Sequence, residues 1–164
     1  MVVIALGIID LARIYTTMLT VESAAREAAD YGTFGSQKWN SAVYNVVPDG
    51  TEAKMRRRAC VAASKLPDYV GPDDSCTNPS FSYQLSPDGT AWGAPGVNDP
   101  AYACDDPVRA SPCWLRVTLT YEFKLLVPFN LEVFGTRYGM PSTMTFDRTS
   151  VFAMTDLKLP TPTP

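Results

Sequence analysis

Residues 1 to 34, MVVIALGIIDLARIYTTMLTVESAAREAADYGTF, constrain the fold more than any other stretch. They contain no Pro, and Gly7 is the only Gly before Gly32. Ala, Leu, Met, Glu and Arg dominate, all good helix formers. The composition predicts one helix of about 32 residues, roughly 48 Å long. A small core cannot cover such a rod. Its first third has no polar face, so it must bury itself in lipid or among copies of itself. Met1, Ile4, Leu6, Ile8, Ile9, Leu11, Ile14 and Met18 are the candidate assembly residues.

The charges on this segment are spaced in helical steps. Asp10 and Arg13 stand three apart, and Glu22–Arg26 and Arg26–Asp30 stand four apart. Such pairs offset charge locally by about 0.2–0.5 kcal/mol on an exposed helix. Glu22, Arg26, Glu27 and Asp30 read as ordinary surface residues. Asp10 and Arg13 lie where the apolar run gives way to a mixed one. An acid near hydrocarbon requires a partner. That partner is either Arg13 alone or a group on a neighbouring chain.

The net charge of −3 makes nucleic acid an improbable partner. Histidine is absent, which removes the commonest general base and metal ligand. With no convincing carboxylate pair either, the chain reads as a non-enzyme without a cofactor. Nine apolar residues are too few to span a bilayer, which takes about 20. The start also lacks the basic leader and cleavage site of an ordinary signal peptide. Met1 is expected either to be a processed terminus or to follow further apolar residues.

Cys60, Cys76, Cys104 and Cys113 lie in Pro- and Gly-rich surroundings behind the hydrophobic helix, as in exported disulfide proteins. Three connectivities are open. Loop length favours Cys60–Cys76 with Cys104–Cys113. The absence of C-x-x-C spacing argues against zinc.

Along the chain, 35–50 reads as a connector in which Trp39, Val43, Tyr44 and Val47 would form a short turn. Pro48–Asp49–Gly50 is a turn signal, and Asp49 with Glu52 has capping-box spacing. A second helix is expected over 51–66, with Met55, Ala59, Ala62 and Leu66 on one apolar stripe and Arg56, Arg57 and Arg58 on the solvated side. Residues 67–79 read as loop and 81–85 as a strand. The strongest strand starts at Trp114, where Leu115, Val117, Leu119, Tyr121, Phe123 and Leu125 alternate with polar neighbours. Residues 130–141 read as a connector. A final strand follows, with Met144, Phe146 and Val151 inward and a bulge near 147–149. The acid pairs Asp73–Asp74 and Asp105–Asp106 lack calcium-loop spacing. In the LPTPTP tail, Thr161 and Thr163 are candidate O-glycosylation sites, an unmodified solvated end being the alternative.

The expected fold class is therefore α+β: a long N-terminal helix and a second helix packed on an antiparallel sheet of three to four strands. The expected domains are the helix over 1–34, a disulfide-bonded head over 35–159, and a Pro/Thr tail over 160–164.

Gly7, Ile8, Ile9, Asp10, Arg13, Tyr15, Ala24, Ala25, Arg26, Glu27, Tyr31 and Gly32 together resemble the TadE-like family of tight-adherence pilus proteins. Tyr121, Phe123, Val127–Pro128 and the Thr-rich final strand fit the family's closing pattern, while the middle of the chain carries no shared motif. The resemblance implies a pilin or pseudopilin of the type IV filament superfamily. Such subunits are held in inner-membrane lipid before assembly, handled by pilus assembly machinery, and packed as homo-oligomers in an extracellular helical filament for adhesion or motility. One departure stands out. Type IV pilins usually carry Glu at the fifth mature position, and here Ala5 stands there, with Asp10 the candidate substitute. A minor pilus component, or a membrane-anchored binding module using Trp39, Trp92, Tyr102 and Trp114, is the alternative.

Overall fold

The computed structural model describes residues 2–34, 39, 50–97, 99–102, 104, 112–126, 130–133, 136–139 and 142–154. Of these, 2–4, 100, 130–133 and 136–139 are described by backbone alone. Helix α1 runs Val2–Gly32 and α2 runs Thr51–Ala63. The strands are β1 Ser80–Ser86, β2 Trp114–Lys124, β3 Asn130–Val133, β4 Thr136–Gly139 and β5 Thr143–Ala153. The sheet order β1-β2-β5 is antiparallel throughout, and β3 and β4 form a separate two-stranded ribbon. The architecture is α+β, as the sequence implied.

Central position explains why β2 has the cleanest alternation. It pairs on both sides, so its odd-numbered residues must face one core. Leu115, Val117, Leu119, Tyr121 and Phe123 are all fully buried, while Trp114, Arg116, Thr118, Thr120, Glu122 and Lys124 line the opposite face. Against the buried face lie Val21, Ala24, Ala25, Ala28 and Ala29 of α1, with Met55, Ala59 and Ala63 of α2. Each large side chain buried here stabilises the fold by about 1.5–3 kcal/mol.

Small residues on α1 let the layers close up. A Cβ added at Gly32 would lie 2.7 Å from Met55 Sδ and nearer still to Leu115 Cδ2. Just past it, the buried Trp39 donates its indole N–H to the Gly32 carbonyl at 3.0 Å and packs on Tyr83 at 5.3 Å between ring centroids. Trp39 is thus a core residue and cannot serve as a ligand platform.

Four expectations are corrected. The N-cap of α2 is Gly50, one residue later than expected, with no side-chain cap bond, and Glu52 accepts from Arg56 at 2.6 Å. The helix stops at Ala63 rather than 66, because the Ser64 N–H turns back to Val61 and Leu66 folds inward as a separate turn. Within the expected connector over 130–141, β3 pairs with β4. Finally, β5 has no bulge. It pairs residue for residue with β2 from Thr143↔Lys124 to Ala153↔Trp114, which keeps Met144 and Phe146 inward but turns Val151 out, 42% exposed. The polar Arg148 and buried Ser150 keep the inward phase, with Arg148 lying over the Phe146 ring at 5.9 Å.

The disulfides are Cys60–Cys76 and Cys104–Cys113, with Cα separations of 5.5 and 5.8 Å. The first ties α2 to the loop 67–79. The second lies beside the sheet, where the Cys113 carbonyl accepts the Met154 N–H at 2.6 Å. Between β1 and the second disulfide, Asp88 organises a turn. Its carboxylate accepts from the Thr90 hydroxyl and N–H, the Ala91 N–H and the Ser86 hydroxyl. Those bonds hold its pKa well below the usual carboxylate range. The remainder of the connector, including Asp49, and the Thr161–Thr163 tail lie outside the described residues.

Candidate functional site

The site is the N-terminal half of α1. A helix of 31 residues would reach about 47 Å at about 1.5 Å per residue, while the core cluster draws its fully buried α1 residues only from Val21 to Ala29. The two halves of the rod therefore meet different surroundings.

On the inward face, Asp10, Thr17, Val21, Ala24, Ala28 and Gly32 are buried in sequence down the helix, with Ile14 packed against the core. On the outward face, Ile8 is 64% exposed, Leu11 68%, Tyr15 64% and Leu19 50%. These positions are three or four apart, so they form one stripe. Thr16 and Thr20 border it, and their hydroxyls donate back to the carbonyls of Ala12 and Thr16 at 3.1 and 3.0 Å. With their polar groups engaged by the helix itself, both threonines can offer methyl groups to a partner.

The stripe ends abruptly. One turn beyond Leu19, the same face carries Glu22 and Arg26, joined at 2.6 Å and solvent-exposed. The helix surface thus changes from apolar to ionic near residue 20. Of the assembly residues expected from sequence, Ile8, Ile9 and Leu11 are exposed, Leu6 and Met18 are half-buried, and Ile14 turns to the core. Met1 and the Ile4 side chain lie outside the described residues. No helix among the described residues is long and apolar enough to cross a membrane.

Asp10 and Arg13 join the N-terminal half of α1 to the head. The Arg13 guanidinium donates to the Asp10 carboxylate at 3.1 Å and lies over the Phe123 ring, 4.9 Å from its centroid. The same carboxylate oxygen accepts the Leu126 N–H at 3.3 Å. Asp10 is 6% exposed, so this pair faces the chain's own sheet and not the outward stripe. The link to residue 126 had no local signal in the sequence.

Other candidates are dispersed. Arg58 lies over Tyr31 at 4.6 Å and Arg56 over Phe81 at 5.9 Å, so two of the three consecutive arginines cover aromatic surface. Trp92 stacks on Arg116 at 3.8 Å, and Trp114 covers Gly89. Tyr102 packs beside Gly93.

These features define a disulfide-bonded α+β head carried on a long helix whose far half bears an uncovered apolar stripe. Disulfides of this kind persist in oxidising surroundings, which points to the cell envelope or exterior. Residues 1–30, nearly the whole of α1, match the family described as TadE-like protein, so the N-terminal region is TadE-like and is associated by that likeness with Tad pili. No curated protein and no solved structure matches the chain.

Proposed function

We propose that this chain is a structural subunit of a Tad-type surface filament, assembling through the N-terminal half of α1. The observation that carries the reading is the outward stripe Ile8, Leu11, Tyr15 and Leu19, each at least half exposed, on a segment that matches the TadE-like family. Covering such side chains stabilises an assembly by about 1.5–3 kcal/mol for each one fully buried. Neighbouring copies of the same helix are the partners that fit, with membrane lipid covering the stripe before assembly and the pilus machinery carrying out the transfer. The head, held clear of that stripe, would face outward for adhesion or motility. Nothing in this role calls for catalysis or a cofactor.

The test is to introduce Ile8→Asp or Ile9→Asp and to measure surface filaments together with folding of the head. The expected outcome is loss of filaments with both disulfides formed and the head's unfolding midpoint unchanged. Normal filament yield from either variant would refute helix-driven assembly.

A further inference from the structure

We propose that the outer face of the sheet carries a binding pocket for a single neutral sugar unit. The pocket has a volume of about 260 Å³ and lies where loop 67–79 folds over the end of β2. It is lined by Asp68, Val70, Ser80, Glu122, Lys124 and Thr145, among others. It sits on the side of β2 opposite α1, so the proposal stands whether or not the chain polymerises.

The frame of the pocket is built rigidly. Asn78 acts as a substitute strand residue against β2. Its side-chain amide donates to the Glu122 carbonyl at 2.8 Å, and its side-chain oxygen accepts the Glu122 N–H at 2.9 Å. The same amide group donates to the Asp68 carbonyl at 2.6 Å. Asp68 Oδ2 accepts the Lys124 N–H at 2.9 Å, and the Asp68 N–H donates to the Tyr121 hydroxyl at 3.0 Å. An antiparallel bridge between Val70 and Asn78 closes the loop, and the Cys60–Cys76 disulfide fastens it to α2. Preorganisation of this kind lowers the ordering cost of binding.

The lining groups left over from this frame are a different set. Asp68 Oδ1, the Glu122 carboxylate, the Lys124 ammonium and the hydroxyls of Ser80 and Thr145 make no hydrogen bond or ion pair among the described residues. They supply acceptors, donors and two-way hydroxyls in one small volume.

Their chemistry selects the ligand. Two carboxylates to one ammonium disfavour a phosphate. A calcium ion takes about six to eight oxygens, and no group of three or more His, Cys, Asp or Glu that could hold a metal occurs among the described residues. Ligand pockets for drug-sized molecules run to about 300–1,000 Å³, so this one suits a single small unit. Val70, 54% exposed, supplies the one apolar wall, against which the C–H face of a pyranose can rest. A neutral polyol answers the rest, because each carboxylate can accept from a sugar hydroxyl in a charge-assisted bond.

The experiment is an amide-shift NMR titration of the intact chain in detergent micelles. The probes are the methyl glycosides of glucose, galactose, mannose and N-acetylglucosamine, with methylamine, inorganic phosphate and calcium chloride as the charged comparisons. At least one glycoside is expected to shift the amides of Ser80, Glu122 and Thr145 saturably, with a Kd of the order of 1 mM. Glu122→Gln and Thr145→Val are each expected to weaken it about tenfold, with an unchanged unfolding midpoint. No saturable shift from any of the four glycosides, equal affinity in both variants, or tighter binding of a charged comparison would overturn the proposal.

Discussion

The Asp10 carboxylate accepts the backbone N–H of Leu126 at 3.3 Å, across a sequence separation of 116. This contact fastens the first third of α1 to the segment just past the central strand, directly beside the exposed Ile9. Asp10 also receives Arg13, so it serves both the helix and the head. Asp10→Ala leaves a part-buried N–H and a guanidinium without this acceptor. A loss of about 1–3 kcal/mol is expected, measured by denaturant unfolding of the intact chain in detergent. Asp10→Asn keeps an acceptor for Leu126 and should lose less. An unchanged midpoint for Asp10→Ala would mean that the carboxylate does not hold the helix to the head.

At Gly32 of α1, Met55 of α2 and Leu115 of β2 both lie against the helix backbone. Gly32→Ala drives a methyl group against Met55 and Leu115. Overpacking of this sort costs about 1–3 kcal/mol. The combination with Met55→Ala should recover part of that loss, since the space vacated is the space required. A double-mutant cycle on unfolding free energies measures the recovery, and strict additivity would show that the backbone moves apart instead.

Much of the fold was legible because its signals are local. The alternation over Leu115–Phe123 survives since β2 is central, and the Met55–Ala59 stripe survives since α2 buries one face only. Paired cysteines were legible from loop length. The bare stripe on α1 was half legible: the apolar start announced burial, but nothing in the sequence separated Ile14, which turns to the core, from Leu11, which does not. That division depends on where the sheet ends. The β5 phase was misread because Arg148 and Ser150 occupy inward positions, and only the residue-for-residue ladder with β2 shows that the strand tolerates them. Asn78 gave no strand signal, as its partner Glu122 lies 44 residues away and the pairing runs through a side chain. The pocket it frames was illegible for the same reason.

Tyr121 should make the head sensitive to alkali. Burial pushes its phenol above the ordinary value and the Asp68 charge adds to this, outweighing the Asp68 N–H and the Arg13 charge, which pull it down. A phenol raised in the folded state contributes its full stability below about pH 10 and loses it as pH rises through the raised value. Tyr121→Phe removes the bond from the Asp68 N–H, at a cost of about 0.5–1.5 kcal/mol near neutrality. It should also flatten the decline in stability above about pH 10, leaving the contribution of Tyr69, whose phenol is likewise raised by burial and by Asp73 and Asp74. Unfolding free energies measured across that range provide the check. A decline as steep in Tyr121→Phe as in the parent would assign it elsewhere.

The disulfides should differ in what they hold. Cys60–Cys76 spans a sequence separation of 16 and Cys104–Cys113 one of 9. Loop-closure entropy assigns them about 3 and about 2.5 kcal/mol, so global stability separates them little. Their surroundings separate them more. Cys60 is fully buried on α2, and its sulfur accepts the Cys76 N–H at 3.1 Å, so this bridge sets the position of the loop bearing Asp68 and Asn78. Replacing Cys60 and Cys76 by Ser should raise amide exchange at Val70 and Thr77 and at Glu122 and Lys124, whose N–H groups depend on that loop. Replacing Cys104 and Cys113 should instead loosen Met154, whose N–H donates to the Cys113 carbonyl. Hydrogen exchange on the two double variants distinguishes the outcomes, and matching exchange patterns would mean that both bridges act only through the unfolded chain.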